Sequence, residues 1–254
     1  MIYEIIICYD CDDENNELNI VKLPLHEILE KDVSIIKCKH GHETLIISDS
    51  QKFENLLYFA FSSFQSHFYH QTISNMTSAY ENLQELIIKM ILKTNNIQDS
   101  EIEDSLKIMK LSERRLGGFY YLFQNTFNKK PKLPNSNKEV AFRNKVIHNG
   151  YICTKKETLN YMIEMYKIIM QTINEIEDYG MNIREYIINN TPLKNKEIQN
   201  LKEVYIWNID LHEYVGTRVR KEKINQEYLI DLLNKMPDLN KLVIGQAFNE
   251  NNIG

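Results

Sequence analysis

The chain has 254 residues, 43% of them hydrophobic, so it is long enough to bury a core and should hold one main domain with one or two smaller parts. Its formal net charge of -5 excludes a broad, non-specific coat of positive charge for nucleic acid, so any contact with RNA must be local. No apolar run approaches the roughly 18 residues that a membrane span needs, and the amino terminus lacks the features of a signal peptide, which predicts a cytoplasmic protein without a membrane partner.

The first fifty residues are predicted to form a small β domain. Stretches rich in Ile, Val and Leu are separated by polar turns, and the predicted strands cover residues 2–7, 18–23, 33–37 and 44–48. A β unit of this size rarely folds on its own core and usually needs a covalent or metal staple.

The same region carries a candidate metal site. Cys8 and Cys11 are separated by two residues, and Cys38 is followed by His40 and His42 with a glycine between them. Four thiolate and imidazole ligands suit tetrahedral zinc, and a closed ligand shell predicts a structural role. His42 is the favoured fourth ligand, because a three-residue gap more easily turns both side chains inward, and His40 is the alternative. Buried cysteines with unrelated histidines are the other interpretation. The segment resembles a zinc ribbon.

From about residue 51 the apolar pattern becomes helical. An apolar stripe runs from Phe53 to Phe68 and continues to Ile91, with a kink expected near Ser74, and residues 94–96 should end it. A further helix is expected to begin near residue 102 and to end at Gly117 and its neighbour. Behind it come a short aromatic helix at residues 119–127 and a proline-containing loop at 131–135.

The stretch from Phe142 to Gly150 carries the strongest functional signal. Asn144 and His148 are four residues apart and share a helical face, while Arg143 points about 100° away but is long enough to reach the same place. Residues 136–139 are predicted to cap this helix and Gly150 to end it. His148 then lies in the last turn, where the helix dipole favours a protonated imidazole. A purely structural role for the three side chains is the alternative interpretation.

The central region resembles a HEPN domain. The signature of that family is an arginine, a following polar residue and a histidine a short distance on, which here are Arg143, Asn144 and His148. The resemblance covers roughly residues 51–180 and implies an up-and-down helical bundle. It also implies a metal-independent endoribonuclease of the toxin–antitoxin, abortive-infection or other anti-phage kind. Such proteins commonly act as dimers, in which two motifs meet in one cleft.

The chemistry of RNA cleavage is consistent with this resemblance. Attack by an internal 2′-hydroxyl needs a proton acceptor, a proton donor and a positive charge beside the phosphorus. Arg143 can grip two phosphate oxygens, His148 suits acid–base chemistry near neutral pH, and Asn144 can orient either group. One histidine cannot easily serve both faces of an in-line attack, so a homodimer is expected, with a 2′,3′-cyclic phosphate as product and no catalytic cofactor.

The remaining chain is predicted to be mostly helical. Thr154 to Glu157 form a second predicted capping box, followed by an amphipathic helix that Gly180 ends. Residues 181–254 are expected to form a helical extension, with a helix start at Thr191-Pro192 and a last apolar stripe at residues 229–236. The predicted fold class is therefore mainly α (α+β): a zinc ribbon-like domain at 1–50, a HEPN-type bundle at 51–180 and the extension at 181–254.

Two other functions are compatible with the sequence. One is a non-catalytic module, in which the bundle binds RNA or a nucleotide and the ribbon docks a partner protein. The other is a HEPN toxin neutralised by a nucleotidyltransferase antitoxin, for which Tyr151 is the obvious acceptor. Cys153 is interpreted as a small core residue, and His67 and His70 as surface or satisfied core residues.

Overall fold

The computed structural model of the protein describes residues 3–8, 11, 19–24, 33–48, 50–183, 185–186, 205–209 and 226–235. The chain divides into two compact units, one made of residues 1–51 and 184–211 and the other of residues 52–183 and 212–254.

The first unit contains two small sheets. Strand β1 (Tyr3–Cys8) pairs antiparallel with β2 (Asn19–Pro24), with Cys8 opposite Asn19. Strand β3 (Val33–Lys37) pairs antiparallel with β4 (Glu43–Ser48), which also pairs in parallel with β5 (Tyr205–Ile209). The four amino-terminal strands confirm the prediction for this region to within a residue or two.

Strand β5 differs from the helical extension expected for residues 181–254. Its sequence, Tyr-Ile-Trp-Asn-Ile, is rich in aromatic and β-branched side chains that favour strands. Pairing with β4 satisfies one side of its backbone, with Tyr205 opposite Thr44. The prediction of helix is therefore wrong for these five residues. The predicted helix start at Thr191-Pro192 lies outside the described residues.

The second unit is helical, which confirms the mainly α class. Its elements in chain order are α1 (Lys52–Gln65), α2 (Tyr69–Thr94), α3 (Asp99–Ile108), α4 (Ser112–Phe127), a π-helical turn (Ser136–Val140), α5 (Ala141–Ile147), α6 (Lys155–Asp178) and α7 (Gln226–Lys235). Among the described residues, no helix combines the length and the apolar character that crossing a bilayer requires.

The core of this unit forms around α2, which packs against α1, α4, α5 and α6. Each of these helices turns an apolar stripe inward, as the spacing of their residues predicts. The largest fully buried side chains are Phe53, Leu57, Phe61, Ile73, Met76, Phe119, Phe123, Phe127 and Tyr166. The short helix α5 is thereby held on the side of a long, well-buried helix.

The break between the first two helices lies at residues 66–68, and α2 continues as one helix through Ser74, near which a kink was expected. His67 has a left-handed backbone with φ of 63°, and the amide of Phe68 donates to the Ser63 carbonyl at 2.8 Å. The amide of His67 donates to the Phe64 carbonyl at 3.1 Å. These two bonds form a Schellman ending, a local structure that the continuous apolar stripe conceals.

Gly117 and Gly118 do not end a helix but lie inside α4. A Cβ added to Gly118 would stand 2.6 Å from the Met109 Sδ atom, whereas one added to Gly117 would meet nothing within 4 Å. Gly118 therefore permits a close approach of α4 to the residue that follows α3. The expected helix end at these glycines is wrong. Glycine is common at helix ends, but it also occurs inside a helix where a neighbouring residue packs too closely for a side chain.

Candidate active site and candidate metal centre

Helix α5 carries Arg143 and Asn144, and His148 is the residue that directly follows it. The π-helical turn that leads into α5 is capped one residue earlier than expected. The Asn135 side chain accepts a hydrogen bond from the Asn137 amide at 2.9 Å, and the Asn135 amide donates to Glu139 Oε2 at 2.8 Å. Asn135, rather than Ser136, is thus the capping residue. An amide oxygen serves this purpose as well as a hydroxyl does.

One face of α5 is anchored in the unit, which leaves the other face outward. Val146 is fully buried, and the Phe142 ring packs 5.7 Å from the ring of Tyr161 on α6. Asn144 and His148 lie on the exposed side. The buried contacts therefore fix which way the polar side chains point.

The structure brings the three predicted catalytic side chains together. Arg143 Nη1 donates to Asn144 Oδ1 at 2.9 Å and lies 3.1 Å from His148 Nε2. Because a guanidinium can only donate, the second contact is a hydrogen bond only when Nε2 is an unprotonated acceptor. Arg143 is half-buried, and its Nε atom is buried with no hydrogen-bond partner among the described residues.

The end of α5 sets the position of His148. The His148 amide still donates to the Asn144 carbonyl at 2.9 Å, which keeps the histidine in the last turn. Gly150 then turns the chain with φ of +66°, a backbone conformation that glycine adopts without strain. The predicted helix stop at Gly150 is confirmed.

A cluster of contacts ties this helix end to the start of α6. The Tyr151 hydroxyl donates to Glu157 Oε1 at 2.9 Å, and Lys145 Nζ lies 3.3 Å from the centre of the Tyr151 ring. Thr154 and Glu157 form the predicted capping box, with the Thr154 amide donating to Glu157 Oε2 at 2.9 Å. The loop after His148 is therefore held at both sides.

The electrostatics of this cluster favour an ionised glutamate and a neutral tyrosine. Hydrogen bonds from the Thr154 amide, then from the Thr154 and Tyr151 hydroxyls, lower the pKa of Glu157. The hydrogen bond to Glu157 raises the pKa of Tyr151, and partial desolvation adds to this shift. The hydroxyl of Tyr151 therefore stays protonated and keeps donating to the carboxylate.

In the first unit, Cys11, Cys38 and His42 form a group that could hold a metal ion. Their candidate ligand atoms all lie within 4.8 Å of one another. Cys11 Sγ is 3.7 Å from Cys38 Sγ, which is too long for a disulfide bond, and 3.3 Å from His42 Nδ1. Both distances are compatible with ligands around one ion. Cys11 and Cys38 are buried, so an ion here would be shielded from water.

A tight turn between β3 and β4 positions Cys38 and His42. The Gly41 amide donates to the Cys38 carbonyl at 3.0 Å with φ of +90° at the glycine, and the His40 amide donates to Cys38 Sγ at 3.3 Å. The thiolate is the form of cysteine that binds a metal. His40 Nδ1 lies 3.2 Å from Cys11 Sγ. The side chain of Cys8, the remaining predicted ligand, lies outside the described residues.

A cavity that was not expected from the sequence lies beside α5, the motif helix. It has a volume of about 410 Å³ and is lined by His67, Phe68, Tyr69, His70, Gln71, Gly150, Tyr151, Ile152 and Cys153. Sequence reasoning treated His67 and His70 as ordinary surface or core residues. The run of aromatic and imidazole side chains at residues 67–70 was the only hint of this cavity in the sequence. That these residues lie close to residue 150 depends on the fold.

Comparisons with known proteins find no matching family model, no similar curated protein and no similar solved structure.

Proposed function

We propose that this protein is a metal-independent endoribonuclease of the HEPN type, with Arg143, Asn144 and His148 as its catalytic residues. The observation that carries the proposal is the contact of one guanidinium nitrogen with both Asn144, at 2.9 Å, and His148, at 3.1 Å, on an exposed helix end. A fixed cation, an amide and an imidazole within one contact distance are what a phosphate-handling site requires.

The proposed reaction is transesterification by the neighbouring ribose. A base accepts the proton of the 2′-hydroxyl while the O2′–P bond forms, and an acid gives a proton to O5′ while the P–O5′ bond breaks. The products are a 2′,3′-cyclic phosphate and a 5′-hydroxyl. Arg143 binds the non-bridging oxygens as negative charge builds on them, and Asn144 holds the guanidinium in place through Oδ1.

The Arg143–His148 contact suggests how substrate activates the base. When Nε2 of His148 is unprotonated, its lone pair can accept a hydrogen bond from Arg143 Nη1, 3.1 Å away, before RNA binds. A phosphate is the stronger acceptor for a guanidinium, so it draws Arg143 away and leaves Nε2 with a vacant lone pair. The base is then ready only when a phosphate is present.

A homodimer supplies the missing proton donor. The motif of each chain holds one histidine, whereas in-line attack needs a base on one side of the phosphorus and an acid on the other. A two-fold axis near α5 brings a second His148 to the same phosphate, since isologous contact repeats each residue across the interface. The exposure of His148 and Asn144 leaves them accessible to such a partner.

The decisive experiment compares cleavage of single-stranded RNA by the purified parent, Arg143→Ala and His148→Ala, with chelator present. We expect a loss of about 10²–10³-fold or more for each variant, because each removes a group acting only in the transition state. Arg114→Ala is the matched control, since Arg114 is an exposed arginine on α4.

Product ends and a modified substrate test the mechanism itself. The fragments should carry 2′,3′-cyclic phosphate and 5′-hydroxyl ends, and a single 2′-deoxy nucleotide at a mapped cleavage position should stop the cut there. Cleavage by His148→Ala at the parental rate, or continued cleavage at the 2′-deoxy position, would show that the proposal is wrong.

For the metal centre we propose structural zinc bound by Cys8, Cys11, Cys38 and His42, with His40 as the alternative to His42. The group of Cys11, Cys38 and His42 supports three of these ligands. Two or more thiolates with imidazole favour zinc over hard cations, and four protein ligands leave no open position for catalysis. The zinc would staple the β unit, since a β unit of this size usually needs a covalent or metal staple.

The proposed biological role is a cytoplasmic toxin or anti-phage effector that is held in check by an antitoxin or another defence partner. A dimeric RNA-cutting site without a cofactor needs such control, because its substrate is present throughout the cell. Induced expression of the parent should arrest growth, and sequencing of RNA fragment ends should show new cuts. Arg143→Ala should give neither result.

A further inference from the structure

We propose that the cavity beside the motif helix binds one nucleobase of single-stranded RNA, next to the phosphate that is cut. This inference rests on the proposed ribonuclease function and deepens it by assigning a base-binding subsite. The cavity volume of about 410 Å³ falls in the range of small-ligand pockets. It is formed where the break between α1 and α2 faces the loop after α5.

The cavity lies directly beside the catalytic residues. Gly150, which lines it, comes two residues after His148, and consecutive Cα atoms are only about 3.8 Å apart. A nucleotide whose phosphate meets Arg143 and His148 therefore has its own base, or that of its neighbour, within reach of this cavity.

Phe68 provides a rigid stacking surface within the cavity. Its side chain is 68% exposed, whereas six other phenylalanines of this unit are buried: Phe53, Phe61, Phe64, Phe119, Phe123 and Phe127. Its backbone is fixed, because its amide donates to the Ser63 carbonyl at 2.8 Å and its carbonyl accepts from the Thr72 amide at 3.0 Å. An exposed aromatic ring on a fixed backbone is the usual platform for an unpaired base.

The other lining residues suit the edge of a base and the ribose. His67 has a left-handed backbone, a conformation in which glycine would be less strained than histidine. Its Nδ1 atom lies 3.1 Å from the Tyr69 hydroxyl. His70 and Gln71 are exposed and offer further donors and acceptors. Ile152, 91% exposed, adds an apolar wall. The cavity therefore offers an aromatic ring for stacking, an apolar wall, and polar groups for hydrogen bonds to the edge of a base, which together suit base recognition.

These features favour a nucleobase over a second copy of the chain. A stable subunit contact buries about 1,200–2,000 Å² of total surface and has an apolar centre. The cavity is concave and its lining includes two imidazoles and an amide. A single planar ring fills such a space better than a broad protein surface does.

The test measures binding of a fluorescein-labelled, single-stranded RNA of about 12 nucleotides. It carries a 2′-deoxy nucleotide at the mapped cut, so that it is bound and not cleaved, and the all-ribose RNA is used if no cut is found. We expect Phe68→Ala to weaken binding by about 5- to 150-fold, the measured range for losing one base–aromatic stack. Phe68→Trp should retain parental affinity. Tyr121→Ala is the matched control, because Tyr121 is 75% exposed on α4 and does not line the cavity.

Removing single bases from the RNA locates the contact. An abasic nucleotide at one position beside the cut should weaken binding to the parent by the same factor as Phe68→Ala. It should cause no further loss with the Phe68→Ala protein, since both changes remove one stack. Light scattering of Phe68→Ala should show the oligomeric state of the parent.

Three results would overturn the subsite. They are equal binding by Phe68→Ala and parent, additive losses at every abasic position, and dissociation of Phe68→Ala into monomers, which would make the cavity a subunit contact. The nuclease proposal fails separately. If binding depends on Phe68 while all-ribose RNA is never cut, the subsite stands and the nuclease does not. If cleavage depends on His148 while Phe68→Ala binds normally, only the subsite is lost.

Discussion

At the scale of single residues, the site depends on the contact between Arg143 Nη1 and His148 Nε2 at 3.1 Å. The sequence favoured a protonated imidazole at this helix end, whereas the observed geometry is a hydrogen bond only for the neutral form. Only the folded structure places the Arg143 guanidinium beside this imidazole, so the helix end alone does not define the surroundings of His148.

The carboxylate of Glu157 gives a prediction on pH at this scale. Its pKa lies below the ordinary value of 4.5, chiefly because the Thr154 amide donates to it. A carboxyl with a lowered folded pKa adds stability that is complete above 4.5 and is lost as the pH falls through the folded value. Glu157→Gln should therefore destabilise the protein at pH 7, and the gap to the parent should close at strongly acidic pH.

Urea unfolding at the two pH values measures this gap. Lys156→Gln, the matched change at the preceding exposed residue, is the control. A Glu157→Gln gap that stays constant from neutral to strongly acidic pH would contradict the assignment of the lowered pKa.

At the scale of helices, local caps and breaks determine where the functional residues lie. The Schellman ending at His67 separates α1 from α2 and leaves Phe68 exposed at the break. Gly150 ends the turn that carries His148, and the capping box of Thr154 and Glu157 starts α6. Two helix boundaries close to each other therefore create both the catalytic end and the cavity beside it.

The glycine pair in α4 gives a prediction at this scale. Gly117→Ala should raise the free energy of unfolding by about 0.5–1 kcal/mol, because alanine loses less backbone entropy in a helix and its Cβ meets nothing within 4 Å. Gly118→Ala should gain less or lose stability, since Met109 Sδ at 2.6 Å must move. Denaturant unfolding of the two variants measures the difference. Equal stabilisation by both would show that α4 does not approach Met109 closely.

At the scale of the whole molecule, the two compact units carry separate chemistry. The candidate metal ligands Cys11, Cys38 and His42 belong to the first unit, and the proposed catalytic residues belong to the second. The second unit has its own buried core around α2, so its fold does not depend on the metal ligands.

Metal removal tests this separation. Protein purified without chelator should contain about one zinc ion per chain by elemental analysis, and Cys38→Ser should lose most of it. Cys153→Ser is the matched control and should keep its zinc, because Cys153 lies in the helical unit, 3.5 Å from Thr158 Oγ1. The helical signal in circular dichroism should survive chelation. Zinc-free parent protein, or loss of the helical signal with the metal, would contradict the prediction.

Mixed dimers test the proposal that two chains share one active site. When parent and His148→Ala chains are mixed equally and allowed to exchange, activity per total chain should fall to about one quarter, because only parent–parent dimers hold two imidazoles. A fall to about one half would show that each chain acts alone. Exchange with Tyr121→Ala chains, which change an exposed residue outside the site, should leave the rate unchanged.

The amino-acid sequence by itself determined the strands of the first fifty residues, the apolar stripes of the helices, the capping box at Thr154 and the helix stop at Gly150. All of these depend on periodicity and on residues a few positions apart, which is why they can be inferred locally. The tertiary structure decided what depends on distant segments: the pairing of β5 with β4, the close approach of Gly118 to Met109, and the meeting of Cys11 with Cys38 and of residues 67–71 with residues 150–153. Contacts between residues far apart along the chain form only when the apolar faces pack together, and no local pattern specifies which segments will meet.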